Sequence, residues 1–199
     1  MDLLDWAIPV IVFGASSTFT PGPNNVMITA SGVNFGFRRS IPHMLGIAIG
    51  FAVMNLAVGM GLGQVFETYP KIHLVLKYIS IAYLTYLAWK IATSDQASQS
   101  SSTGKPFTFI QAAAFQWVNP KAWVVAIGAV STFTTVGGDL LFEVMMMSLI
   151  FMLVTIPSAS TWAMFGIVIR RFLQTPKRLR AFNWSMAGLL MISLVPALR

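Results

Sequence analysis

Apolar stretches long enough to cross a bilayer follow one another along almost the whole of this 199-residue chain. A hydrocarbon core of about 30 Å takes roughly 20 apolar residues as a helix. Six stretches meet that need: roughly Leu4 to Met27, Ile41 to Gln64, Leu74 to Ala92, Phe107 to Val130, Leu140 to Ile169, and Leu179 to Leu198. Lipid offers no partner to backbone N–H and C=O groups, so only helices and closed barrels span it. The stretches far exceed the ~10 residues of a barrel strand and lack period-2 alternation. The expected fold is therefore all-α, a polytopic membrane bundle of six transmembrane helices forming one domain over 1–199. With 56% hydrophobic and 10% charged residues the chain cannot cover a water-facing surface, and no length remains for a soluble catalytic domain.

The net charge of +7 would suggest nucleic acid in a soluble protein, but here its placement reads as topology, with no nucleic-acid partner. Nine of the 13 basic residues lie on one side: Arg38 and Arg39, Lys90 and Lys105, and Arg170, Arg171, Lys177, Arg178 and Arg180. Lys71, Lys77 and Arg199 lie on the other, with Lys121 inside a span. The positive-inside rule places both termini on the periplasmic side of a bacterial inner membrane. The first apolar stretch has no basic n-region and no small-residue cleavage site, so it reads as a span and not a signal peptide. The chain has no cysteine, which removes thiolate metal sites and disulfides. His43 and His73 stand near span ends without ligand spacing, and neither metal nor cofactor is expected.

A Ser-rich stretch from Thr93 to Gly104 is the one low-complexity segment and reads as a flexible linker over 94–104. It divides the spans three and three, repeat one over 1–93 and repeat two over 105–199. An odd number per half inserts the second half upside down, as a 3+3 inverted repeat. In the leading span of each half a proline-broken polar motif interrupts the apolar run: Thr20-Pro21-Gly22-Pro23-Asn24-Asn25 and Gln116-Trp117-Val118-Asn119-Pro120-Lys121. Proline removes a donor and clashes with the preceding turn, so the first and fourth helices are expected to be broken near the midplane. Discontinuous helices there form the substrate site of inverted-repeat transporters.

Each motif also has a plainer reading. Leu4 to Phe19 is close to spanning length, which would make Thr20 to Asn25 an interfacial turn, although Val26 to Ala30 resumes an apolar run. Asn119-Pro120-Lys121 could be a kink with a snorkelling lysine, although Lys121 falls two-thirds along its span, where a lysine costs at least ~2.5 kcal/mol and normally faces a cavity or partner. As a site, the pair suits a zwitterion. A freed helix N-terminus and the amides after Pro21-Gly22-Pro23 hold a carboxylate, with Lys121 adding positive charge. Freed carbonyls and the side-chain oxygens of Asn24, Asn25, Gln116 and Asn119 accept from an ammonium group. No mid-span carboxylate is present to neutralise a cationic cargo, so small neutral amino acids fit best.

At these residues the chain resembles the LysE/RhtB amino-acid exporters. Pro21-Gly22-Pro23-Asn24-Asn25, then Gly36-Phe37-Arg38-Arg39-Ser40, Leu45-Gly46 and Gly50-Phe51, the run Ala82 to Lys90, and Phe115 to Lys121 carry the likeness over almost the whole chain. Within that family it is most similar to the cysteine and O-acetylserine exporters. The resemblance implies export of neutral amino acids or their derivatives across the inner membrane, driven by the proton gradient, without a cofactor.

For coupling, Glu143, one turn inside the fifth span, is the candidate carboxylate; the alternative is a solvated cap at the helix start beside Asp139. Gly46 to Gly50 is a small-xxx-small motif that serves either packing within one subunit or the seam of a homodimer. Pro157 reads as a kink in the long fifth segment. Trp6, Trp89 and Trp162 read as interface or packing aromatics, and Asn55 and Asn183 as interhelical hydrogen-bonders. A membrane-embedded enzyme would need a nucleophile with its base or a metal cluster, and the spans offer neither. A channel-like facilitator would need no occluded site.

The charge asymmetry makes a direct prediction. A C-terminal fluorescent fusion that matures only in the cytoplasm stays dark; bright cells would reverse the topology.

Overall fold

The computed structural model describes residues 3–62, 70–93, 106–135 and 137–192, and among these it is helical with no strand. The linker expected over 94–104, the ends of the second and sixth spans at Gln64 and Leu198, and Lys105 and Arg199 lie outside the described residues. The helices are α1 (Leu3–Phe19), α2 (Pro23–Ala57, continued by a π-turn Val58–Leu62), α3 (Pro70–Ala92), α4 (Phe109–Gln116), α5 (Pro120–Phe133), α6 (Leu140–Arg170) and α7 (Pro176–Ile192).

Proline explains where several of these helices begin. Pro23, Pro70, Pro120 and Pro176 each stand first in a helix, where a missing N–H removes nothing and the fixed φ is already helical. Thr108 opens α4 with a reciprocal capping box to Gln111, both bonds 3.2 Å. Asn119 accepts from the Lys121 N–H at 3.2 Å to cap α5, and Asp139 accepts from the Phe142 N–H at 3.1 Å to cap α6.

The helix is broken at both motifs. α1 stops at Phe19 and α2 starts at Pro23; α4 stops at Gln116 and α5 starts at Pro120. Two helical stretches among the described residues are long and apolar enough to cross a bilayer, Pro23–Leu62, which is kinked at Gly36, and Leu140–Arg170. The connection expected over 28–40 between the first two spans is shorter than the sequence suggests. α2 consists of two helices that meet at Gly36, whose φ of 77° and ψ of 175° leave the helical region, and the residues on either side of it are helical. A positive φ suits glycine alone at little cost. The buried His43 and Ser31, 2.9 Å apart, join the two sides of that bend.

α2 and α6 form the central contact. A Cβ on Gly32 would strike the carbonyl of Ala163, and one on Gly166 would strike the carbonyl of Thr29. The two backbones thus touch, the arrangement small residues permit where lipid supplies no hydrophobic drive between helices. Gly46 and Gly50 sit against the backbone and Cβ atoms of Phe109, Ala112 and Ala113 on α4, so that motif packs within one subunit. Polar bridges complete the bundle. Asn55 donates to Ser148 Oγ at 2.9 Å, and Asn34 and Asn183 exchange bonds of 3.0 and 3.2 Å. Trp6 is buried and donates to the Phe133 carbonyl at 2.8 Å, whereas Trp89 is exposed. Ile110 and Val124, on the broken helix, are 75% and 72% exposed, which suits side chains that face lipid.

Gly188, in α7, has nothing within 4 Å of its would-be Cβ. In the detergent-solubilised protein Gly188→Ala should be neutral or stabilising by up to about 1 kcal/mol. Gly32→Ala and Gly166→Ala should instead lower the melting temperature, at about 1–3 kcal/mol each. Equal melting behaviour for all three would contradict the backbone contact.

Candidate functional site

The last turn of any helix leaves carbonyls without an internal partner, and in α1 side chains from three other helices reach them. Asn25, on α2, donates to the carbonyls of Thr18 and Thr20, both at 2.9 Å. Ser158, on α6, donates to Thr18 O at 2.9 Å. Lys121, on α5, donates to Thr20 O at 2.7 Å and more weakly to Pro21 O at 3.5 Å. The lysine ammonium therefore stands at the negative end of the α1 dipole, a favourable place for a cation.

The beginning of α2 is the opposite case. Gly22 is extended, and no side chain caps the amides that follow it, so a positive helix end is left available. A Cβ on Gly22 would come within 2.9 Å of Lys121 Cδ; glycine is what lets the lysine stem pass. The two breaks touch directly through a reciprocal amide pair. Asn24 Nδ2 donates to Gln116 Oε1 at 2.9 Å, and Gln116 Nε2 donates to Asn24 Oδ1 at 3.0 Å. Gln116 also donates to Ala112 O at 2.9 Å, which satisfies a fully buried amide.

Between these ends lies a cavity of about 60 Å³, room for several waters. Of the ten residues proposed from sequence, Gly22, Pro23, Asn24, Asn25, Asn119 and Lys121 line it. Thr20, Pro21, Gln116 and Pro120 do not: Thr20 contributes its carbonyl to Lys121, Gln116 holds Asn24, and Pro120 starts α5. The amides are also less free than their composition suggests. Asn24 and Gln116 face one another, and the Asn119 oxygen caps its own helix.

Sequence reasoning missed the contribution of α6 and of the last turn of α1. Thr155 and Ser158, and Ser17 and Thr18, also line the cavity. The available signal was Thr155-Ile156-Pro157-Ser158, two hydroxyls flanking a proline in an otherwise apolar helix. Glu143 lies elsewhere. Its carboxylate accepts from the Thr135 N–H at 2.9 Å, holding the turn before α6, and at 1.5 Å rise per residue it is roughly 18 Å along the helix from Thr155. His43 is fully buried beside Phe107, 4.9 Å between ring centroids, and away from the cavity lining.

The family model described as the LysE type translocator matches residues 15–197. A cysteine/O-acetylserine efflux protein of Escherichia coli O1:K1 / APEC is 33% identical over 156 residues, 78% of this chain and 79% of the relative. The protein of that name from Salmonella typhimurium strain LT2 is 34% identical over the same length and shares. No solved structure matches the chain. By the extent of the family match and the identity to these relatives, the chain belongs to the LysE-type translocators, multi-pass membrane transporters and not enzymes.

Proposed function

We propose that this protein exports small neutral amino acids or their derivatives across the bacterial inner membrane. The observation that carries the reading is the cavity where the two broken helices meet, with a lysine ammonium and an uncapped helix N-terminus at its edge. A cargo carboxylate would take Lys121 and the amides of Asn24 and Asn25, where cation and helix dipole act together. The cargo ammonium would take oxygens at the end of α1. The names of the relatives, cysteine/O-acetylserine efflux proteins, support a cargo of this size and charge.

The proposal includes six spans, with α1 and the first part of α2 making one broken span and α4 with α5 another. The two sets of three then insert in opposite senses, both termini periplasmic, and rock about the cavity to open it alternately to each side. The proton gradient is the proposed driving force, as the resemblance implies. Glu143 is left out of that step because its carboxylate already accepts from Thr135.

Efflux of labelled amino acids from preloaded proteoliposomes should be saturable and selective for small neutral species. An open-pore conductance would replace the carrier with a channel, and absence of flux for the whole panel would end the exporter reading. Lys121→Met should cut efflux at least tenfold with the protein still inserted; full activity would mean that the lysine serves the α1 end alone. Asn24→Ala strands the buried Gln116 Oε1, which accepts from Asn24, a loss of about 1–3 kcal/mol, and should lower both efflux and melting temperature. In this cysteine-free chain, cysteines at positions 25 and 119 should be bridged by a short bifunctional reagent. Failure to bridge in any transport condition would separate the two breaks.

A further inference from the structure

Thr155 carries the one buried side-chain polar atom of the cavity wall that has no hydrogen bond among the described residues. The residue is 4% exposed. A hydroxyl within a helix ordinarily bonds back to the carbonyl four residues earlier, and its neighbours do so: Ser160 donates to Ile156 O at 2.8 Å and Thr161 to Pro157 O at 2.9 Å. Ser158 reaches across to Thr18 O instead. Thr155 does neither. An unpaired buried hydroxyl is destabilising, so its presence at the wall of a cavity calls for a partner that enters the cavity.

The surroundings decide what that partner is. Residues four apart share a helix face, which places Thr155 between Phe151 and Ala159. Phe151 packs edge-on to Phe51 at 5.3 Å between ring centroids, and Ala159 belongs to the same apolar cluster as Ile47. All of these except Phe151 line the cavity. A carboxylate or ammonium held here would be desolvated beside apolar groups with no counter-charge. A neutral polar group would not. The charged end of the cavity, at Lys121 and the start of α2, is made by other helices.

We infer that Thr155 reads the cargo's side chain: its hydroxyl pairs with a hydroxyl, thiol or ester oxygen carried on the cargo's Cβ, two atoms beyond Cα, and so selects short polar side chains over aliphatic ones of equal size. This rests on the reading of the cavity as the cargo site. A site built to hydrogen-bond a polar group discriminates strongly against the analogue lacking it, because the site's own group is then left unpaired. Ser158 does not share the role, since its hydroxyl is committed to α1.

The test is competitive efflux of L-serine against the near-isosteric L-2-aminobutyrate from proteoliposomes holding the full-length protein, Thr155→Val or Thr155→Ser. Wild type should favour serine. Thr155→Val should lower the serine to 2-aminobutyrate ratio about tenfold, through lost serine flux with 2-aminobutyrate retained, and Thr155→Ser should keep the ratio within about twofold of wild type. Thr155→Val should also melt no lower than wild type, because it removes a hydroxyl that bonds no other protein group among the described residues. An unchanged ratio in Thr155→Val, or an equal fall in both fluxes, would overturn the role of Thr155 while leaving the exporter standing. Wild-type protein that moves neither amino acid would overturn both.

Discussion

An interrupted helix leaves carbonyls and amides without internal partners, and the manner in which α1's last carbonyls are satisfied organises this bundle. Donors come from Asn25, Ser158 and Lys121, on α2, α6 and α5. Those three helices are thereby fixed around one point. None of the bonds is large alone, since a hydrogen bond contributes about 1 kcal/mol net, but a buried carbonyl left bare costs about 1–3 kcal/mol. The break and its partners have to be present together.

The same region depends on how close the helices come. Ser158 can reach Thr18 because α6 lies against the α1–α2 pair, and α6 lies there because Gly32 and Gly166 allow backbone contact with α2. Gly46 and Gly50 do the same for α4, bringing Gln116 within reach of Asn24. Five small residues at helix crossings, counting Gly14 against the Phe151 ring, thus set the distances on which the polar contacts rely. Packing here precedes polar recognition.

Much of this was legible in the chain. The two broken motifs stand where Pro21, Pro23 and Pro120 put them, because a missing N–H and a steric clash act locally and can be read locally. Asn55 and Asn183 are interhelical hydrogen-bonders as expected of amides buried in apolar spans. What escaped sequence reading was of two kinds. Gly36 belongs to a stretch whose composition suits a loop or a helix equally, and only the observed backbone angles show that the connection between two helices is confined to that one residue. The partners of Lys121, Asn24 and Gln116 depend on which helices are neighbours, which spacing along one chain does not encode. Thr155 was invisible for a related reason: a threonine in an apolar helix is ordinary, and its meaning lies in a bond it does not make.

Lys121 is already engaged before any cargo arrives. Its ammonium rests on the Thr20 carbonyl at 2.7 Å, so a carboxylate entering the cavity would meet a cation that has another acceptor in hand. Much of the attraction would then go into exchanging one oxygen for another, and the net gain would be modest. The same exchange eases departure, because the helix end reclaims the lysine as the carboxylate leaves. A carrier built on that contest would grip its cargo loosely and release it readily, and its flux would rise with the internal concentration of the solute over a wide range before levelling off. Such a device behaves as an overflow valve.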